Sequence, residues 1–477
     1  MLPLTLQFIV KSCSGFLAPE TQECCIQRVW SDSRTVQAGD LFVALEGANF
    51  DSHDFLPEVL SRGATAALVD AGKSSKYPKG LVCVQVPNVR RAYGALAGAY
   101  RNRFSLPIIA VAGSNGKTST KSLIAGVLGT ERITLASEGS FNNDVGVPAT
   151  LLQLDERHQA AVLEVGTNHP GELSPLLGMI RPKYGILTSI GREHLEFFKN
   201  IEAVACEEGA IAAVLPKDGV LFINGDIPFL SEISSRTQAR IVKVGFGEGN
   251  DWRVTHLRQM HQGTAFSVES PEPEYDGEYQ TNLIGRHQAL NAALALGVGR
   301  ELGLSRAAMR RGLAESSGAK MRLEIKQANG WTVLNDAYNA NADSMIAALE
   351  TLRDYPCLGR RIAVLGEMCE LGDSSKTAHE EVGRFAAETS VDTLLTIGAP
   401  GLMISRAARA SGLTNVLQVD EIDQVSAKIR PLLRAGDVIL FKASRSARLE
   451  RVVQALFDHS STPHDLTRPQ LATTGST

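Results

Sequence analysis

Residues 108–128 read IIAVAGSNGKTSTKSLIAGVL. A β-branched apolar run ends at Ala112. Gly113, Ser114, Asn115 and Gly116 follow, then Lys117, Thr118 and Ser119 at the start of a helix-like pattern. Glycines at both ends of such a turn let the backbone bend sharply and approach an oxyanion closely. Successive N–H groups and the N-terminus of the next helix then favour bound phosphate. In that setting Lys117 would reach the terminal phosphates and the Thr118 hydroxyl would suit Mg²⁺. The usual spacing, G-x-x-x-x-G-K-[ST], puts its first glycine at the position of Val111. This loop starts two residues later, at Gly113. On its own it reads either as a chance turn or as a shorter phosphate loop with its own chemistry.

Two further polar residues stand where apolar runs end. AVLEVGTNHPGEL carries Glu164, and ILTSIGREHLEFF carries His194. Groups at the carboxyl ends of parallel strands meet in one crevice. A carboxylate and an imidazole beside phosphate can bind Mg²⁺ or orient its ligands, although Mg²⁺ prefers oxygen. The plainer alternative for each is a cap or a surface residue.

The elements that must hold these groups follow from periodicity. Apolar runs recur at 108–112, 160–165, 184–190, 220–223 and 241–246, with helix-like segments between most of them. That alternation predicts a largely parallel sheet covered on both faces. Residues 252–270 alternate more strictly and read as antiparallel strands, and 284–304 as an Ala/Leu-rich helix stopped by Gly303. Before the loop, 39–45 and 80–86 read as short strands and 90–104 as a helix, giving a small α/β domain. After it, runs at 332–334, 361–365, 393–397, 416–419 and 438–441 predict a second doubly wound unit.

Composition narrows the classes. The 477 residues suggest about three domains, at roughly 150 residues each. A net charge of -4 gives no reason to expect nucleic acid. Seven scattered cysteines without a CxxC favour free thiols in a reducing compartment. No apolar stretch reaches the roughly 20 residues of a membrane span. The first basic residue, Lys11, follows the N-terminal apolar run, the reverse of a secretory signal. A cytoplasmic protein is expected.

Several segments together resemble the Mur ligase family, the ATP-dependent amide-forming ligases of peptidoglycan synthesis. They are SDSRTVQAGDLFVALEGANFDSHDF (31–55), GSNGKTSTK (113–121), SFNNDVGVPATLL (140–152), EVGTNHPGEL (164–173), NDAYNANADSM (335–345), LGEMCELGDSS (365–375) and GDVILFKASR (436–445). In that family the shortened loop is the rule. The SFNN…GVP, DAYNAN and GEM.ELG combinations resemble the member that adds D-alanyl-D-alanine to UDP-N-acetylmuramoyl-tripeptide, over nearly the whole chain to about residue 456.

The resemblance implies an α/β fold of three domains, an ATP and Mg²⁺ requirement, and a monomer. A small N-terminal α/β domain (1–104) would bind the UDP-substrate, with Ser33 and Arg34 beside it. A central P-loop ATPase domain with a parallel sheet (105–321) would bind ATP, and a C-terminal Rossmann-like doubly wound domain (322–459) would complete the site. Residues 460–477 read as a disordered tail. Lys117 would contact the β- and γ-phosphates, and Thr118 and Glu164 would hold one Mg²⁺. His194 would help hold a second. Asn143 would face the substrate carboxyl, and His287 and Asn291 the adenine. Arg322 and Asp336 would close over γ-phosphate and ribose, so domain closure is expected. Asn339, Asn341 and Ser344, in and just after DAYNAN, would receive D-alanyl-D-alanine.

The sequence also departs from the family pattern. Members usually carry a lysine, modified by CO₂ to a carbamate that helps bind the second Mg²⁺, where Glu208 stands here. The expectation is that Glu208 supplies those anionic oxygens directly; the alternative is a solvated helix residue. Glu193 replaces a small residue, Ala342 a proline and Ala443 a glycine. Two other readings stay open: a superfamily ligase adding the third residue or glutamate to folate, and a non-ligase P-loop NTPase.

Overall fold

The computed structural model describes residues 1–18, 23–47 and 49–458. The expected tail, 460–477, lies outside the described residues. By contacts the chain divides into two compact units. The first comprises residues 1–320 with 341–356 and 369–375, and the second 321–340, 357–368 and the chain from Lys376 on.

The first unit is built on a nine-stranded sheet. Its order is Gly277–Thr281, Thr264–Glu269, Trp252–Gln259, Arg240–Gly245, Val220–Asn224, Tyr184–Leu187, Ile108–Ala112, Ala160–Glu164 and Thr134–Ala136. From Trp252–Gln259 to Thr134–Ala136 neighbours are parallel; Trp252–Gln259, Thr264–Glu269 and Gly277–Thr281 pair antiparallel. The strand before the loop explains why the sheet is covered twice. Ile108, Ala110 and Ala112 point into one core, and Ile109 and Val111 into another, with all five fully buried. Alternate residues of a strand face opposite sides, so a continuous apolar run must be buried on both. Helices Lys117–Gly129 and Arg286–Glu301 cover the second face. Gly303, at φ +79°, follows the latter helix where the sequence predicts its stop.

The N-terminal residues form a four-stranded parallel sheet, Arg28–Trp30, Asp40–Val43, Ala66–Asp70 and Val82–Val86. Its helix Val89–Arg101 buries Tyr93, Leu96 and Tyr100 in the same core as Ile108 and Leu163. The N-terminal sheet is thereby continuous in packing with one face of the large sheet.

The second unit carries a six-stranded sheet ordered Glu324–Ala328, Trp331–Asn335, Val438–Lys442, Arg361–Leu365, Thr393–Ile397 and Val416–Val419. Only the edge strand Glu324–Ala328 is antiparallel. The five parallel strands are those the sequence predicts, with ends within a residue. The edge strand was not predicted: its residues are half-exposed, and Glu-Ile-Lys-Gln-Ala gives little apolar signal. Ala443 sits in the core of this unit, and a Cβ on Gly366 would lie 2.7 Å from its methyl group. Gly366 thus leaves the room that Ala443 fills. The seven cysteines form no disulfide.

Candidate active site

Strand register brings the chemistry together. Val111 pairs with Glu164, and Ala112 with Leu187, so three strands end at one level beside Gly113. Val111 is an interior strand residue, which is why no glycine is needed there. Gly113 and Gly116 have φ of +118° and +88°. A Cβ on Gly116 would stand 2.8 Å from the Asn291 Oδ1, and one on Gly113 would collide with the Thr188 hydroxyl and the Ser189 backbone. Both positions require glycine by conformation and by space.

The cradle differs from the sequence expectation in one respect. Three loop N–H groups are already bonded within the protein. Gly113 donates to Glu208 Oε2 at 2.6 Å, Ser114 to the Ser189 carbonyl at 3.0 Å, and Asn115 to Ser189 Oγ at 2.8 Å. Donors for phosphate therefore come from the next part of the motif. The helix starting at Lys117 leaves first-turn N–H groups without an intrahelical acceptor, and its dipole favours an anion.

On one side of the loop, Thr118 and Glu164 are 3% and 1% exposed. The Thr118 hydroxyl and Glu164 Oε2 have no hydrogen-bond partner. Glu164 Oε1 accepts from Asn142 Nδ2 at 2.9 Å, and Lys121 Nζ stands 4.0 Å from Oε2. Buried oxygens without partners are costly unless a ligand satisfies them. A hydroxyl and a carboxylate at a phosphate loop are the donor set Mg²⁺ takes when phosphates complete its shell. These residues fit the ion.

On the other side, Lys117 folds back over its own loop. Its ammonium donates to the Gly113 carbonyl at 2.5 Å and stands 3.5 Å from Glu193 Oε2 and 3.9 Å from Glu208 Oε1. Glu208 ends helix Ile201–Glu208 and is wholly buried, so it is not a solvated helix residue. Burial raises its carboxyl pKa; Lys117 opposes this, and the neighbouring Glu193 adds to it. His194, at φ +50°, turns Nδ1 onto the Glu370 carboxylate. That partner accepts, so Nδ1 carries a proton, and Nε2 stands 3.9 Å from Glu193 Oε2. Among the described residues no three His, Cys, Asp or Glu side chains converge closely enough to cage a cation. Of the expected metal set, Thr118 and Glu164 flank one side of the loop and His194 and Glu208 the other.

The remaining expected residues divide. Asn142, not Asn143, reaches Glu164. Asn143 Oδ1 instead accepts from the N–H groups of Val145 and Gly146, starting helix Gly146–Leu151. Asn291 lies under Gly116 and donates to Gln288, about one turn along the helix from the half-buried His287. Asn341 caps helix Ala342–Asp354 in a reciprocal box with Ser344, and its Nδ2 donates to Asn115 Oδ1 in the loop at 3.1 Å. Asn341 is extended and Ala342 is the first helical residue, a position where proline also fits. Ser33 and Arg34 lie in a short turn capped by Asp32, which holds the exposed Arg34 guanidinium. In the second unit, Arg322 stacks on Tyr338 at 4.1 Å. Asp336 pairs with the buried Lys442 at 2.6 Å, and Lys442 also donates to the Asn339 carbonyl. Sequence reasoning assigned no role to Glu193, Asn142, Lys121 or Lys442. For Lys121 a signal existed: it follows Lys117 by four residues, on the same helix face.

Three adjacent family descriptions match the chain: Mur ligase family, catalytic domain, at residues 26–105; Mur ligase middle domain, at 111–299; and Mur ligase, glutamate ligase domain, at 321–445. The chain belongs to the Mur ligase family. The UDP-N-acetylmuramoyl-tripeptide--D-alanyl-D-alanine ligase of Bacillus subtilis (strain 168) is 33% identical to it over 467 residues, covering 96% of this chain and 99% of that one. MurF from Acinetobacter baumannii matches with a TM-score of 0.86 and 30% identity, over 96% of this chain and 99% of that chain. MurF from Thermotoga maritima in complex with ADP matches with 0.81 and 26%, over 91% and 97%. Among the described residues no helix is long and apolar enough to cross a membrane.

Proposed function

We propose that this chain joins D-alanyl-D-alanine to UDP-N-acetylmuramoyl-tripeptide at the expense of ATP, making the cytoplasmic pentapeptide precursor of peptidoglycan. One observation carries the reading. A short phosphate loop with its lysine and two sets of buried carboxylates sits in a chain that matches the D-alanyl-D-alanine-adding ligase over 96% of its length.

The reaction explains the residue types. A tripeptide carboxylate oxygen attacks the γ-phosphorus, ADP leaves, and an acyl phosphate forms. The amine of D-alanyl-D-alanine attacks the carbonyl carbon; the C–O bond breaks, and phosphate leaves with one former carboxylate oxygen. The first step brings two anions together. Lys117 and the helix N-terminus behind it offset that repulsion. Mg²⁺, when bound through Thr118 and Glu164, supplies further neutralisation of phosphate charge. Asn142 orients Glu164, Glu370 orients His194, and Glu208 fixes the Gly113 turn. Gly113 to Ser119, His287 and Asn291 are assigned to the nucleotide. Ser33, Arg34, Asn143, Asn339, Asn341 and Ser344 are assigned to the two peptide substrates.

Release of ADP in the presence of the muramoyl-tripeptide nucleotide tests this. ADP formation that requires D-alanyl-D-alanine supports the assignment. Turnover with a single amino acid in its place points to another ligase of the family, and turnover with no amine acceptor points to an NTPase.

A further inference from the structure

Helix Ile201–Glu208 ends on two adjacent glutamates and carries no basic residue in its last turn. The negative end of a helix dipole disfavours carboxylates there. Sequences break such a local preference where another requirement outweighs it. For Glu208 that requirement is the Gly113 N–H. Glu207, half-buried, serves a second loop in the same way. Its Oε2 accepts from the Gly171 N–H and its Oε1 from the Leu173 N–H, each at 2.8 Å. Leu173 opens helix Leu173–Ile180, and the preceding Glu172 gives that helix no side-chain cap. Glu207 supplies the cap from another helix, through charge-assisted bonds. Glu172 turns back onto the loop, where its Oε2 accepts from the N–H groups of Asn168 and His169 at 2.9 and 3.1 Å. The His169 ring lies 4.1 Å from that of Phe197. At its start the loop is tied by the Gly166 N–H to the carbonyl of Asn142, whose side chain holds Glu164. Residues 166–173 are thus fixed at both ends, with Asn168 and His169 exposed between them.

We propose that Glu207 is a positioning residue for the peptide end of the muramoyl-tripeptide nucleotide. The two loops held by Glu207 and Glu208 leave the adjacent strands Ala160–Glu164 and Ile108–Ala112 at their carboxyl ends. Loops so placed line one crevice. Helix Ile201–Glu208 is then a bracket with two heads. Glu208 sets the turn that begins the phosphate loop, and Glu207 sets the loop beside Glu164. The second loop meets the peptide already ordered, with Asn168 and His169 in one arrangement, so little freedom is lost on binding. Glu207 itself touches neither substrate nor reacting atoms; it acts through Gly171 and Leu173.

The proposal rests on the functional reading for the identity of its ligand. The test is titration calorimetry of the full chain with three separate probes: UDP-N-acetylmuramoyl-tripeptide, UDP and a non-hydrolysable ATP analogue. Glu207→Gln keeps the shape but turns an N–H donor toward one of the two loop N–H groups. It should weaken the tripeptide nucleotide about tenfold and leave UDP and the analogue within about twofold of wild type. Gly171→Ala acts on the same loop independently. Gly171 has φ +88°, and no atom lies within 4 Å of a Cβ there, so alanine strains the loop without a clash. It should show the same selective loss, and it carries the test should Glu207→Gln not fold. Wild-type affinity for the tripeptide nucleotide in the folded variants, or an equal loss for UDP or the analogue, would overturn the proposal. Wild type that binds the analogue but not the tripeptide nucleotide would refute the functional reading instead.

Discussion

The residue of this site that departs furthest from the family pattern is Glu208. It is buried, fixes Gly113 through a 2.6 Å hydrogen bond, and faces Lys117 at 3.9 Å. Glu208→Ala removes the anion and the anchor of the loop together. Loss of a preorganised electrostatic group at a reacting phosphate slows turnover on the order of 10²–10³-fold. Glu208→Lys makes a sharper prediction: it sets a second ammonium against Lys117. Only reaction of that amine with CO₂ restores a negative charge, so the activity of this variant should rise with bicarbonate while wild type stays flat. Wild-type activity and metal dependence in Glu208→Ala would refute the role. The sequence made Glu208 conspicuous because a lysine was expected there. It marked Glu193 as a departure from a small residue but gave it no role, because its side chain meets Lys117 only once a turn folds over the loop. Nor could it separate Asn142 from Asn143, since the backbone of one turn decides which neighbour faces Glu164.

At the scale of elements, the two ends of each sheet do different work. Carboxyl ends of strands carry Gly113, Glu164, Asp336 and Lys442, and amino ends carry structural pairs. One is in the second unit, where Asp437, 1% exposed, precedes strand Val438–Lys442. Its carboxylate takes the Arg360 guanidinium at 2.6 Å and the N–H groups of Arg360 and Arg434 at 2.9 Å each. Burial acts to raise this carboxyl pKa, but the Arg360 guanidinium and the two N–H groups override it and hold it below the usual range. Its stabilisation is thus present above the unfolded carboxylate pKa of about 3.9 and lost as pH falls through the lower folded value. Asp437→Asn should cost about 1–3 kcal/mol at neutral pH, because it unpairs a half-buried guanidinium and weakens hydrogen bonds to a buried carboxylate. Chemical denaturation at stepped pH should show the gap between variant and wild type narrowing below about pH 4. A gap independent of pH would contradict this account. Most elements were legible because long apolar runs alternate with helical spacing. Strands Arg28–Trp30, Ala66–Asp70, Thr134–Ala136, Gly277–Thr281 and Glu324–Ala328 were not: the first and third are only three residues long, the second opens on two alanines, which favour strands poorly, and the last two are polar strands at sheet edges. Neighbouring strands define them, and that information is not local.

On the scale of the whole molecule, the chain gathers a phosphate loop, a substrate-type N-terminal sheet joined to it by one continuous core, and a second α/β unit with its own basic residues. The loop, Glu164 and His194 were readable as chemistry from their positions after apolar runs. The substrates were readable only through the resemblance, because residues such as Ser33, Asn339 and Ser344 carry no chemistry that names a ligand. What unites the parts is the claim that a peptide carboxylate is activated by phosphorylation beside Lys117. The direct test uses UDP-N-acetylmuramoyl-tripeptide labelled with ¹⁸O in the carboxylate that becomes the amide. Reaction with ATP and D-alanyl-D-alanine should release inorganic phosphate carrying one ¹⁸O per turnover, read by mass spectrometry. Phosphate without label, at the same rate of ADP formation, would contradict the account.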